Sequence, residues 1–206
     1  MNEIALIDSG CYFGKNTYRS VEFHQKFDLI WLYNFPTIDL TLYKGVIIPT
    51  AIDEEFLFRY RKKLEKYLDN GGIICSFAQN FLPWLPGNSL WRPSEIPFKD
   101  RTIFKSNDHP IFMGVDEYDL NYRGGVKGFF SRGFFEEPVG AEVLLHDNEH
   151  RTVLYIDRTT TNGIILSGAG SDLVSFGVGS NNTSELLVPQ LLDWILQEAH
   201  GERGNQ

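Results

Sequence analysis

The fold is decided by the run Gly45-Val46-Ile47-Ile48-Pro49, the segment Asp53 to Asp69, and the run Asn70-Gly71-Gly72-Ile73-Ile74-Cys75-Ser76-Phe77. The first and last pieces are short apolar runs bounded by Gly and Pro, the pattern of strands buried on both faces. Between them, Phe56, Leu57, Tyr60, Leu64, Tyr67 and Leu68 recur at helical spacing. Asp53-Glu54-Glu55 place acids in the first turn, where the helix dipole favours them, and Asn70-Gly71-Gly72 end the helix. Strand, helix, Gly-Gly and strand in this order make a βαβ unit, and such a unit implies a parallel sheet.

Working outward, Ile4 to Asp8 and Phe27 to Leu32 read as two more buried strands. Later, Glu142 to His146, Thr152 to Ile156 and Gly163 to Ser167 read as an antiparallel meander appended to that sheet. Asp147-Asn148 supplies the first turn, and Asn162-Gly163 suits a tight hairpin. A closing helix spans about 183 to 199, with Asn182 as cap and Glu185 completing a capping box. Residues 81–135 hold Pro83, Pro86, Pro93, Pro97 and Pro110 among many aromatics and show little periodicity, so they are expected to form an irregular insertion. The expectation is one α/β domain over residues 1–200: an open, mostly parallel, flavodoxin-like sheet with helices on both faces, antiparallel late strands and a long aromatic insertion. Residues 201–206 are expected to be a disordered tail.

Composition narrows the function. With 206 residues, one core suffices. The net charge of −8 disfavours nucleic acid, which needs clustered Lys and Arg. The one basic run, Arg59 to Lys66, is interleaved with Glu65 and followed by Asp69, as on a solvated helix face. No run approaches the roughly 20 apolar residues of a membrane span. The start Met1-Asn2-Glu3-Ile4 lacks a signal-peptide pattern, and two cysteines make no disulfide framework, so the cytoplasm is expected. Gly10 to Asn16 approaches a phosphate loop but is one residue short, with Asn16 where magnesium needs Ser or Thr. No cofactor and no metal site is expected, since Cys11 and Cys75 without a His pair are a poor zinc signature.

Several motifs together resemble the class I glutamine amidotransferase-like superfamily, in its trehalose-utilisation (ThuA)-like branch. They are Phe27-Asp28-Leu29-Ile30, Tyr43 to Pro49, Tyr67 to Ile74, His109-Pro110-Ile111-Phe112, and Gly163 to Gly168 with the helix ending Leu192-Asp193-Trp194-Ile195. The family nucleophile lies in Gly-x-Cys-x-Gly-x-Gln. The resemblance puts Cys75 at the nucleophile and Gln79 at the Gln, with Ile73 and Phe77 where the glycines of the elbow would stand. The oxyanion loop, Pro-Gly-Gly in the family, is Pro49-Thr50-Ala51 here. The family's late His-x-Glu is replaced by Ser167 to Asp172, which holds no His.

The resemblance therefore implies a scaffold without its base, and a Cys without a base is not an activated nucleophile. The favoured reading is a non-catalytic domain binding a small polar ligand or a protein partner at the carboxyl ends of the strands. Its expected contacts are Asp8, Gly10 and Cys11 after the first strand, Pro49 and Thr50 after the third, Ser76 and Gln79 around the fourth, and Gly168, Gly170, Ser171 and Asp172 after the last. One alternative is a Cys75-dependent amide hydrolase with His109, the best placed of His109, His146 and His150, as substitute base. Another is an assembly subunit of a multi-protein system or a homodimer, using the aromatics of 81–135. The stretch Arg123 to Phe135, which alternates aromatics, glycines and cations, reads as a lid or interaction surface. In the strand order 3-2-1-4, the first and fourth strands would be neighbours and Cys11 and Cys75 would lie close.

Overall fold

A computed structural model describes residues 2–12, 17–18 and 25–201. Its centre is an eight-stranded sheet: β1 (Ile4–Asp8), β2 (Asp28–Trp31), β3 (Gly45–Ile48), β4 (Ile73–Ser76), β5 (Ile103–Lys105), β6 (Glu142–Asp147), β7 (Thr152–Asp157) and β8 (Ile164–Gly168). The order is β2-β1-β3-β4-β8-β7-β6-β5. The first five strands in that order are mutually parallel, and β7, β6 and β5 continue antiparallel. This is the flavodoxin-like α/β arrangement read from the sequence. The predicted order 3-2-1-4 is corrected: β3 lies between β1 and β4, so the strands carrying Cys11 and Cys75 are not neighbours.

The core follows from the alternation of side chains along each strand. On one face the row Leu6, Ile47, Cys75 and Leu166 runs in register across four strands. It packs in one cluster with Leu191, Trp194 and Ile195 of the long helix α5 (Leu187–Ala199). On the other face Ile7, Val46, Ile48, Ile74 and Ile165 pack with Leu57, Leu64 and Leu68. Those three belong to α1 (Glu54–Arg59) and α2 (Arg61–Asp69).

The expected single helix over 53–69 is thus two. Asp53 caps the first through the Phe56 amide (3.0 Å). Tyr60 leaves helical geometry at φ −106° and ψ 16°, and the Arg61 guanidinium takes the Phe58 carbonyl (2.8 Å) that a continuous helix would have used. The Gly-Gly stop forms as expected. Gly71 adopts φ +85°, its amide bonds Leu68 O, and the Gly72 amide bonds Tyr67 O, the paired bonds of a Schellman ending.

Other details differ from the sequence reading. Asn162-Gly163 does not close a tight hairpin, because 158–163 intervene between β7 and β8 and Asp157 organises that loop through the Thr159 and Thr160 amides. Gly163 serves packing instead: a Cβ there would lie 2.2 Å from Gly72 O. Asn182 does cap through the Ser184 amide (3.0 Å), but Glu185 accepts from the Asn181 amide rather than that of Asn182. The turn that follows is a 3-10 segment, Thr183–Leu186, and only then does α5 begin.

Residues 81–135 contribute the edge strand β5 and a short helix α3 (Glu117–Asn121). Among the described residues no helix is long and apolar enough to cross a membrane. The expected disordered tail lies, from residue 202 on, outside the described residues.

Candidate functional site

Because β1, β3 and β8 are parallel, the segments that leave them converge at one end of the sheet. There they enclose a cavity of about 430 Å³. Asp8, Ser9 and Cys11 come from the end of β1, Pro49, Thr50 and Ala51 from the end of β3, and Ser171, Asp172, Ser175 and Phe176 from the segment after β8. Thr17 and Tyr18 form a further wall. Arg123, Phe129 and Arg132 reach over from the insertion.

Each loop is held by a specific bond. Asp8, 2% exposed, accepts from the Gly10 amide at 2.8 Å. Gly10 turns at φ +79°, and the Trp31 ring occupies the place where a Cβ would project, so both conformation and space demand glycine. The Ser9 hydroxyl donates to Ala51 O and ties the β1 and β3 loops together. The Ser171 amide and hydroxyl donate to Phe130 O and Phe129 O, both at 2.9 Å, which docks the insertion onto the β8 loop.

The floor of the cavity is organised by Asp172, which caps the short helix α4 (Leu173–Phe176) through the Val174 amide at 2.7 Å. Its other oxygen accepts from the Tyr18 hydroxyl, also at 2.7 Å. Burial raises the Asp172 carboxyl above the ordinary carboxylate value, while Tyr18 and the amides of Val174, Ser175 and Thr50 favour its charged form and oppose the rise. Burial, and then the adjacent carboxylate, likewise push the Tyr18 phenol well above its ordinary value. The Thr50 amide has a functional parallel. Thr50 stands in the loop that the family resemblance assigns to oxyanion stabilisation, and here its N–H faces the protein's own carboxylate.

A second carboxylate lies across the turn after β4. Glu54 accepts from the Leu82 amide (3.2 Å) and is further favoured in its charged form by the amides of Phe81 and Asn80, against the upward push of burial. The chain wraps around it with Asn80 at φ +48°. Residues 77–91 contain no helix, so the strand-to-helix elbow of the amidotransferases is not formed at this position.

Of the residues expected at the site, Asp8, Cys11, Pro49, Thr50, Ser171 and Asp172 line the cavity. Gly10 shapes its wall without lining it. Cys75 is elsewhere: it is 0% exposed, mid-row among aliphatic side chains facing α5, and burial pushes its thiol far above the ordinary value. Ser76 is sealed at the end of β4, Gln79 is half-buried in the following turn, and Gly168 packs against Leu154 and Phe77. Gly170 backs onto Phe130 O, where a Cβ would approach to 2.7 Å. None of these five lines the cavity.

His109 is likewise removed. Its ring sits edge-on to Trp194 at 6.0 Å, and its nearby charges are Glu142, Arg158 and Glu198. Glu142 begins β6 and Arg158 follows β7, at the amino-terminal end of β8 and so at the opposite end of the sheet from the cavity. His109 Nδ1 accepts from the Ile111 amide (3.3 Å), a capping role.

Sequence reasoning missed Tyr18, Ser175 and Phe176, which nothing in the local pattern singles out. Arg123, Phe129 and Arg132 fall within the stretch read as a lid, where no single residue was distinguishable. The approximate phosphate loop falls partly on Gly14, Lys15 and Asn16, outside the described residues. Among the described residues no three His, Cys, Asp or Glu side chains gather as a metal site would require.

No family model matches the sequence, and no curated protein matches it. Solved structures do resemble it in fold. An mmIFT52 N-terminal domain aligns over 98% of this chain and 99% of its own, with TM-score 0.56 and 14% identity. A glutamine amidotransferase from Thermotoga maritima aligns over 98% and 97%, with TM-score 0.55 and 12% identity. Alpha-L-fucosidase isoenzyme 2 from Paenibacillus thiaminolyticus aligns at TM-score 0.59 and 15% identity, and this chain spans 33% of that protein. At such identities the likeness is one of architecture alone: the open, mostly parallel α/β fold of this chain is similar to that of the glutamine amidotransferase.

Proposed function

We propose that this protein is a non-catalytic member of the amidotransferase-like fold, in the ThuA-like branch that His109-Pro110-Ile111-Phe112 resembles, and that it binds a small polar ligand at the carboxyl ends of β1, β3 and β8. One observation carries the reading: the parts an amidase would need are used for something else. Cys75 is packed in the core, Thr50 N–H faces Asp172, and the turn after β4 is wrapped around Glu54. A thiol without a base and with a raised pKa supplies almost no thiolate at neutral pH. An oxyanion loop whose Thr50 N–H already serves a carboxylate has one donor fewer for a reaction intermediate. The cavity itself remains open, lined by polar groups and the aromatic rings of Tyr18, Phe129 and Phe176, and of a size suited to small ligands, roughly 300 to 1,000 Å³. We place the protein in the cytoplasm, where its two free thiols would stay reduced.

A second reading, assembly with a protein partner, rests on a different observation. Trp31, Tyr33, Phe56 and Tyr60 form a chain of rings with centroids 5.6, 5.0 and 4.8 Å apart, and Trp31 and Tyr33 are 40% and 49% exposed. Exposed aromatic groups of this kind are common at protein interfaces.

The test of the non-catalytic reading is ammonia release from glutamine by purified protein beside a Cys75→Ala control. No release above buffer is expected from either. Turnover by the wild type that vanishes in the control would overturn the reading and restore Cys75 as a nucleophile.

A further inference from the structure

The rim of the cavity carries a charge pattern unlike the rest of the surface. The protein is acidic overall, at −8, and several of its arginines are committed to carboxylates: Arg92 to Glu136, Arg151 to Asp147 and Glu149, Arg158 to Glu142 and Glu198. Arg123 and Arg132 both line the cavity, both are exposed, and among the described residues neither forms an ion pair. Both are presented by anchored backbone. Arg123 closes a two-residue hairpin, Tyr122–Arg123 against Val126–Lys127, whose Gly124 and Gly125 adopt the positive φ values (56° and 79°) that a type I′ turn requires. Its guanidinium lies over the Phe176 ring at 5.6 Å. Arg132 sits where its carbonyl accepts from the Ser94 amide at 3.1 Å.

The floor differs in kind. Asp172 already has its hydrogen-bond donors, and Asp8 is bonded to the Gly10 amide. A ligand anion is therefore repelled from the floor and attracted to the rim. Phe129 (38% exposed) offers apolar surface to the same cavity, and buried Phe176 backs its wall. Thr50 also lines the cavity, and its Oγ1 is buried without a hydrogen-bond partner. We propose that the cavity selects a small molecule with a carboxylate or phosphate monoester on a flat or apolar body, its anionic group held by Arg123 and Arg132 and its body directed inward past Phe129 to the Thr50 hydroxyl. Two guanidinia suit such a group because each presents a planar fork of donors that matches two oxygens at once. The inference rests on the ligand-binding reading above and adds the chemistry of the ligand.

Three probes of similar shape separate the terms: phenyl phosphate, benzyl alcohol and benzylamine. Each is titrated into the full-length protein and into the Arg123→Gln and Arg132→Gln variants, with affinity measured by calorimetry and the site by amide NMR shifts. Both substitutions are at exposed positions, and circular dichroism checks that the variants are folded. Phenyl phosphate is expected to shift the amides of Thr50, Ser171 and Ser175. It should bind about tenfold or more tightly than benzyl alcohol and lose about tenfold or more in each variant, as charge-assisted contacts require. Benzyl alcohol or benzylamine shifting the same amides with equal or greater affinity would overturn the anion assignment while leaving the cavity a ligand site. Undiminished phenyl phosphate binding in both variants would overturn it in the same way. If none of the three probes shifts those amides, this inference and the ligand-binding reading both fail.

Discussion

Replacing Tyr18 with Phe tests the brace at the base of the cavity. Tyr18 is 3% exposed, and its hydroxyl donates at 2.7 Å to the buried Asp172 carboxylate, 154 positions later in the chain. The ring and its packing survive the substitution, so only the hydroxyl is lost. A hydrogen bond to a charged group contributes about 1.5 to 3 kcal/mol, and a domain of this size changes its Tm by about 2 to 4 °C per kcal/mol. The expected loss is therefore about 3 to 12 °C, from the product of those two ranges. The effect also has a pH signature. Burial leaves the folded-state pKa of Asp172 above its ordinary 3.8, so this carboxyl favours the folded state below that pH, and the contribution is lost as pH rises through the folded pKa. Removing the Tyr18 donor takes support from the ionised form, so the penalty should be larger at pH 7 than at pH 4. Urea unfolding of wild type, Tyr18→Phe, Asp172→Asn and the double variant at both pH values gives the coupling directly. A Tyr18→Phe change of under about 0.5 kcal/mol at pH 7, the range typical of an exposed surface site, would refute the brace.

Three further outcomes are expected. In native protein a thiol reagent should modify half-exposed Cys11 and leave buried Cys75 untouched until denaturant is added; labelling of both at similar rates would show that the core position of Cys75 is wrong. His109→Asn should flatten the stability profile between pH 7 and 5. Burial lowers the His109 imidazole below its ordinary 6.5, against Glu142 and Glu198 and with Arg158, so its contribution is full above that pH and lost as pH falls through 6.5 toward the folded value; an unchanged slope by urea titration would argue against this. Gly163→Ala should cost about 1 to 3 kcal/mol or more, because its Cβ would lie 2.2 Å from Gly72 O and 2.8 Å from Leu68 O, both backbone atoms that cannot swing aside; a urea midpoint equal to wild type would contradict that packing.

Sequence by itself determined the layers of this protein. Apolar runs such as Ile4 to Asp8 and Ile73 to Ser76 are buried along their whole length, and Gly71-Gly72 ends its helix through bonds to carbonyls only three and five residues back. Local periodicity and local hydrogen bonds carry that information, so it can be read along the chain. The segments after β1, β3 and β8 were likewise legible as cavity walls, since in parallel strands every carboxyl end points the same way. Strand order is different. Whether β3 or β4 lies beside β1 depends on which pairing buries the larger surface across the whole sheet, and Gly45 to Ile48 and Ile73 to Ser76 are equally buried runs. The direction of Cys75 was also undecided along the chain, because period-two alternation states only that Ile74 and Cys75 face opposite ways. Only the placement of α5 makes the Cys75 face a closed core. The tertiary structure alone brings Tyr18 to Asp172 and sets Arg123 and Arg132 at one rim, because contacts between residues far apart in the chain leave no mark on the local pattern of either partner.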